Sequence, residues 1–133
     1  MNAIVTRIFA ALVALFALTF GTIAYGAGNL AGSEWGPATG GGEQYVRFGA
    51  DNKLNGNGGC NGFFGRYELK DGKLRIGPLA STRKACASDI MEREQAFLQA
   101  LERARTAVIT HTLLTLKDDS GTTVLELRRR DWD

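Results

Sequence analysis

The sequence predicts an α+β domain in which a small, curled antiparallel β-sheet is closed by one amphipathic α-helix. Three observations lead there. Runs with two-residue alternation lie on both sides of a single stretch with helical spacing, so the order is strands, one helix, strands. Asp71-Gly72 separates two of those runs and suits a two-residue hairpin, because both positions tolerate positive φ. The helical stretch carries its apolar residues on one stripe, as a helix packed on its own sheet does.

Taken in order, residues 27–39 hold an early Trp35 and Pro37 and lead into a glycine loop at 39–42. "EQYVRFGAD" follows, with Val46 and Phe48 on one face of a strand and Tyr45 and Arg47 on the other. Asp51-Asn52 marks a turn and residues 53–55 a short return. The stretch "GNGGCNG" reads as a sharp bend, with Asn and Gly taking positive φ at low cost, and "FFGRYEL" (63–69) as the next extended run. Residues 74–82 return from the Asp71-Gly72 turn until Pro78 interrupts the ladder. The helix is expected to be capped by Ser88 or Asp89, with Asp89 and Glu92 resembling a capping box. Ile90, Phe97, Leu101 and Ala104 form its apolar stripe, and Asp89 and Arg93 pair at i, i+4. Residues 107–116 and 122–129 flank a second hairpin at 118–121, and a bend at 110–112 divides the first of these runs.

Ahead of this domain, Arg7, the apolar run 8–20 and the small residues Gly21, Thr22 and Ala24 have the layout of a secretory signal. Cleavage after Gly26 places Ala24 at −3, so residues 1–26 are the expected leader and 27–133 a single domain. The alternative is an uncleaved anchor, although the run only approaches the ~20 apolar residues of a span. No cysteine lies near the exit, which excludes lipid attachment there. Loss of the leader removes Arg7 alone and lowers the net charge from +2 to +1. So balanced a chain lacks the basic excess of a generic nucleic-acid or anionic-membrane binder. Arg128-Arg129-Arg130 is answered by Asp131 and Asp133 and reads as a solvated terminus.

Two cysteines in an exported chain, Cys60 and Cys86, read as a disulfide. Free thiols, or a redox or metal pair, are the alternatives, and no C-x-x-C spacing exists. Chemistry has little else to use. His111 stands alone among strand-forming residues, and no metal or nucleophile motif accompanies it. The glycine stretch leads into an extended run and not into a helix, so it is not a phosphate-cradling loop. No catalytic residue, metal or cofactor is expected.

The core stretch resembles the META domain family, the family of the bacterial heat-shock protein HslJ. The resemblance rests on Gly59-Cys60-Asn61, Gly65-x-Tyr67, "PLAST" at 78–82, Thr82-Arg83-x-x-Cys86 and Glu94-Gln95-x-Phe97-Leu98-x-x-Leu101. Trp35, Leu114, Leu116 and residues 119–121 fit the same pattern. It implies a small α+β fold, an envelope location and a link to heat and antibiotic stress, with no catalytic residue to carry over. Where many members are lipoproteins, this leader lacks the lipobox cysteine, so a soluble periplasmic monomer is expected. The leading expectation is a non-enzymatic domain that binds a protein or an apolar ligand. The family fold is similar to lipid-holding secretion pilotins, and if a comparable cleft exists, Phe63, Phe64, Phe97 and Leu101 are its candidates, with core packing their other role. The alternative is an inhibitor-like module docking on a cell-wall enzyme or protease through a Gly-rich loop, at 39–42 or 56–59.

Overall fold

Alternating side chains need a closed interior, and among the described residues nine antiparallel strands provide it. The computed structural model describes residues 29–40 and 42–130. The expected leader, its cleavage position and the acidic residues Asp131 and Asp133 lie outside the described residues. The strands are β1 (Ser33–Pro37), β2 (Tyr45–Phe48), β3 (Lys53–Asn57), β4 (Gly62–Lys70), β5 (Lys73–Ile76), β6 (Ala80–Ser81), β7 (Thr106–Thr110), β8 (Leu113–Lys117) and β9 (Thr123–Arg129). Helix α1 (Ser88–Arg103) lies between β6 and β7. Neighbours run β3-β2-β1-β9-β8-β7-β5-β4, and β3 also pairs with β4, so the curled sheet closes into a ring. Eight strands have a partner on both sides, β5 and β7 meeting at one register pair, while β6, paired with β4 alone, lies at the end of the order.

The interior is filled by alternate residues of each strand. Trp35, Val46, Phe48, Leu54, Phe63, Tyr67, Leu74, Ile76, Ala107, Leu114, Leu116 and Leu127 are all buried. Val46 and Phe48 point in while Arg47 points out, as the alternation predicts. The Trp35 indole donates to Ser33 Oγ at 2.7 Å, and that hydroxyl donates to the Leu30 carbonyl, so the tryptophan sits in the core without an unpaired N–H. Phe48 and Tyr67 meet edge to face at 5.0 Å, with the Tyr67 hydroxyl donating to the Gly49 carbonyl. Burial raises the Tyr67 pKa above its ordinary value.

Turn chemistry sets the registers. Asp51 and Asn52 both have positive φ (60° and 59°) between β2 and β3, and Asp71 and Gly72 (52° and 78°) between β4 and β5. The expected return at 53–55 extends to Asn57, and the run 74–82 divides into β5 and β6 around Pro78. The bend at 110–112 forms with His111 at φ 52°. One joint in the ring is weak: β5 and β7 share the single register pair Lys73–Thr106. Two backbone bonds flank it, from Leu74 N to the Arg105 carbonyl and from Ala107 N to the Gly72 carbonyl.

Helix α1 packs against β5 and β9 and covers that side of the interior with Phe97, Leu101 and the following Ala104. Burying Phe97 and Leu101 contributes about 3–6 kcal/mol together. The exposed Asp89–Arg93 pair, 3.8 Å apart, contributes only a few tenths. Packing therefore holds the helix in place. Its start corrects the expected capping box: Ala87 is the N-cap, no side chain caps the end, and the Ala87 carbonyl accepts from Ile90 and Met91. Ser88 is already helical, so it cannot cap. At the other end Arg105 donates to the carbonyls of Glu102 and Ala104.

Arg128 is exposed as expected, but Arg129 and Arg130 correct the expectation of a free solvated terminus. Arg129 lies over the Trp35 ring at 5.7 Å, and Arg130 lies over Tyr45, donates to the Gln44 carbonyl and pairs with Glu34. They fasten β9 to β1 and β2.

The hairpin between β8 and β9 is organised by Asp118, whose Oδ1 accepts from Ser120 N, Ser120 Oγ and Thr122 N at 2.6–3.0 Å. The Ser120 hydroxyl is the main cause holding the Asp118 carboxyl below its ordinary pKa, with the Thr122 N–H next. Because the folded pKa is depressed, the stabilisation is complete above the unfolded value of about 3.9 and is lost as pH falls through the lower folded one. Asp118→Ala should therefore melt below wild type at pH 7, and the difference should shrink in melting curves recorded progressively below about pH 4. A pH-independent difference would rule out the carboxylate as its source.

Candidate functional site

The bend between β3 and β4 is where most of the resemblance-derived residues meet. Gly59 takes φ 122°, which L side chains rarely adopt. At Gly58 an added Cβ would collide with the Glu94 side chain, so the close approach of helix and loop requires glycine. Glu94 is buried on α1, facing inward amid apolar positions. Its Oε1 accepts from the backbone N–H groups of Cys60 (3.1 Å) and Asn61, and its Oε2 accepts from Asn61 Nδ2 at 2.8 Å. A buried carboxylate needs such donors, and the turned loop presents them as a nest.

Asn61 carries the grip outward. Its Oδ1 accepts from Thr82 Oγ1 (2.9 Å) and Lys84 N (2.6 Å), and its Nδ2 donates to the Lys84 carbonyl at 3.2 Å as well as to Glu94. The Cys60–Cys86 disulfide is formed, with Cα atoms 6.1 Å apart, and joins the same loop to the segment before α1. Cys60 is buried and Cys86 exposed. Gly65 lies opposite Leu54 in the β3 ladder and is packed beneath Leu79. Loop, β6 segment and helix are thus tied together by one carboxylate, one amide and one covalent bond.

Two participants went unnoticed in the sequence. Gln44 Nε2 donates to the carbonyls of Gly58 (2.8 Å) and Arg93 (3.1 Å), bridging loop and helix across 14 and 49 residues. Asn57 Oδ1 accepts from Gly59 N at 2.7 Å; an Asn two residues before a glycine is the signal that could have shown it. No local pattern marks Gln44.

The proposed apolar cleft is corrected. Phe63, Phe97 and Leu101 expose 2%, 3% and 0% of their surface and pack in the core, where Phe63 meets Phe97 edge to face at 6.0 Å. Phe64 points the other way, as adjacent residues on a strand must, and is 60% exposed. The four cannot line one opening. Nor does the 56–59 loop present a free docking edge: Gly56 and Gly58 are buried, the Gly58 carbonyl accepts from Gln44, and Gly59 N donates to Asn57. A hollow of about 180 Å³ beside it, between Gln44, Gly59, Ile90 and Arg93, is smaller than the ~300 Å³ of ordinary ligand pockets. A larger one, about 580 Å³ at the β5–β7 joint, is lined mainly by charged residues including Lys70, Lys73, Arg75 and Arg105. His111 is exposed at its turn, and among the described residues no three His, Cys, Asp or Glu side chains gather as a metal site.

These bonds have measurable consequences. Glu94→Ala leaves three buried donors unpaired and should cost about 3–5 kcal/mol in urea unfolding. Glu94→Gln should cost less, because one oxygen remains while the new NH₂ opposes an N–H donor; equal losses would show that the carboxylate's hydrogen bonds matter little. The disulfide closes a loop with a sequence separation of 26, worth about 3.5 kcal/mol in the chain-entropy model. Cys60→Ser or Cys86→Ser should accordingly lower the melting point of oxidised protein strongly. Melting equal to that of wild type would show the bond to be unimportant.

Comparison with known proteins bears on the family and the fold. The chain is similar to a protein from Burkholderia xenovorans solved by NMR, with 27% identity and a TM-score of 0.63, covering 77% of this chain and 85% of that one. A second NMR structure is 24% identical with a TM-score of 0.58, covering 74% and 90% respectively, and shows the same fold. So does the crystal structure of a DUF4847 family protein from Bacteroides vulgatus, at 17% identity and a TM-score of 0.55, covering 68% and 62%. No curated protein matched the sequence. The META domain model matches residues 25–131, a span that takes in the glycine loop, the disulfide and the Glu94 helix, and the chain belongs to the META domain family.

Proposed function

We propose that this META domain is a non-enzymatic, exported protein that supports tolerance of envelope stress, from heat or antibiotics, by binding another protein in the periplasm. Phe64 carries the binding reading. It keeps 60% of its surface in water, the one large hydrophobic side chain to do so among the described residues. Covering it would gain about 1.5–3 kcal/mol at most, a typical contribution for an anchor. Glu94 and Asn61, the buried polar groups of the site, are committed to backbone and to each other, which favours a scaffold over a catalyst. Export is supported by the leader-like run at residues 1–26 and by the disulfide, a bond that persists in oxidising compartments. No helix among the described residues is long and apolar enough to cross a membrane. The inhibitor-like alternative now rests on the 39–42 loop, where Thr39, Gly40 and Gly42 are exposed.

A strain lacking the protein, complemented with full-length chain, with a version lacking residues 1–26, or with Phe64→Ala, separates these claims. Full-length protein should restore survival after heat or cell-wall antibiotic challenge, and the other two should not. Rescue by the leaderless form would overturn the exported reading. Rescue by Phe64→Ala would remove the exposed ring from the binding reading.

A further inference from the structure

The β6 end of the sheet has the makings of a strand acceptor. Ring closure leaves β6 with a partner on one side only. Beyond β6 the chain stays extended in hydrogen-bonding pattern: Thr82 N donates inward to the Gly62 carbonyl and Lys84 N to Asn61 Oδ1, while the Lys84 carbonyl accepts from Asn61 Nδ2. In an antiparallel ladder the intervening residues turn their N–H and C=O groups outward, here Ser81 and Arg83. Arg83 makes no hydrogen bond among the described residues, and every residue from Ser81 to Asp89 is exposed. The edge is held rigid at both ends, by pairing of Ala80 with Phe64 and by the disulfide at Cys86. It is therefore an open edge prepared in advance, which spares a partner the cost of ordering it.

Its surroundings define what would fit. Phe64 lies directly opposite Ala80, whose small side chain leaves the ring uncovered on the edge side. Arg66 on β4, Arg75 on β5, and Arg83 and Lys84 on the edge are all exposed, and none forms an ion pair among the described residues. A hollow of about 250 Å³ lies between Arg66, Arg75 and Gly77 on the Phe64 face. Glu68, paired in register with Arg75, is the acidic side chain lining that hollow. Positive charge, an aromatic anchor and unpaired backbone groups together match one kind of ligand: an extended acidic peptide segment with an apolar side chain. Main-chain bonds would supply affinity, and charge would supply selection.

We propose that the edge formed by Ala80–Lys84 accepts an extended, acidic segment of the partner protein as an added β-strand, with Phe64 as its apolar anchor. This rests on the protein-binding reading above and names the partner's chemistry.

The test uses a fluorescein-labelled ten-residue peptide alternating glutamate with valine, its lysine counterpart, and a copy of the glutamate peptide with alternate backbone amides N-methylated. The glutamate peptide should raise fluorescence anisotropy at low salt and shift the amide resonances of Ser81 and Arg83. The lysine and N-methylated peptides should bind at least about tenfold more weakly. Phe64→Ala, Arg83→Glu and Ser81→Pro, the last deleting only an outward donor, should weaken the glutamate peptide by about tenfold each with melting points little changed. Equal binding of all three peptides, no binding, or shifts confined to other strands overturns the proposal; the N-methylated peptide gives this answer even if Ser81→Pro fails to fold. Binding of phosphatidylglycerol vesicles without peptide binding would assign the face to a membrane surface instead. A photo-crosslinking residue placed in cells at position 83, 102 or 126 distinguishes the two levels. Protein adducts from 102 or 126 but not from 83 overturn the edge and leave a protein partner standing. No adducts from any position remove the protein-binding reading as well.

Discussion

The Glu94 carboxylate is the interaction on which the other features depend. A charge taken out of water must be met by donors, and three come from a single turn of chain around Cys60 and Asn61. Meeting it imposes conditions in several places at once. The loop must come so close to α1 that Gly58 has no room for a side chain. It must curl so that successive N–H groups converge, which Gly59 permits. Position 61 must also offer a donor to the carboxylate and an acceptor to the Thr82–Lys84 segment, a pairing that an amide side chain provides and a carboxylate does not.

The same grip explains how a ring with one thin joint stays closed. Between β5 and β7 the ladder has a single register pair, and the helix linking β6 to β7 covers that side with Phe97 and Leu101. The helix is positioned by its apolar stripe, by Glu94 and, through the preceding segment, by the disulfide. Apolar packing supplies most of the energy, while the polar and covalent contacts set the helix's place along the barrel. Loss of either kind of contact would be felt at the joint first, where few backbone bonds resist opening.

Much of this architecture was legible from local chemistry. Val46 and Phe48, the Asp71-Gly72 turn and the apolar stripe of the helix each declare themselves through two-residue or helical spacing. The helix cap did not, because Ser88 and Asp89 look like capping residues while the chain, bound at Cys86, begins its helix at Ser88. The hub was visible only through the family resemblance. Its hydrogen bonds through Glu94 and Asn61 join residues 21 to 34 apart, and no periodicity encodes a contact made by folding two distant segments together. Phe63 and Phe64 show the opposite failing: strand alternation already assigns them to opposite faces, and grouping them in one cleft disregarded it. Arg129 and Arg130 were misjudged because charge runs usually face solvent, whereas their planar heads lie on Trp35 and Tyr45.

The pairing of β1 with β9, through Trp35–Arg129 and Pro37–Leu127, joins the start of the ring to its end. A chain emerging from the ribosome N-terminus first holds the tryptophan strand with one side unmatched until β9 has been made. The ring therefore cannot be completed in instalments: its closure is among the longest-range contacts in the domain, and loop entropy makes such contacts slow to form. Until β9 has been made, β1 lacks its second partner and the ring stays open. Topology itself thus delays the commitment to a folded state.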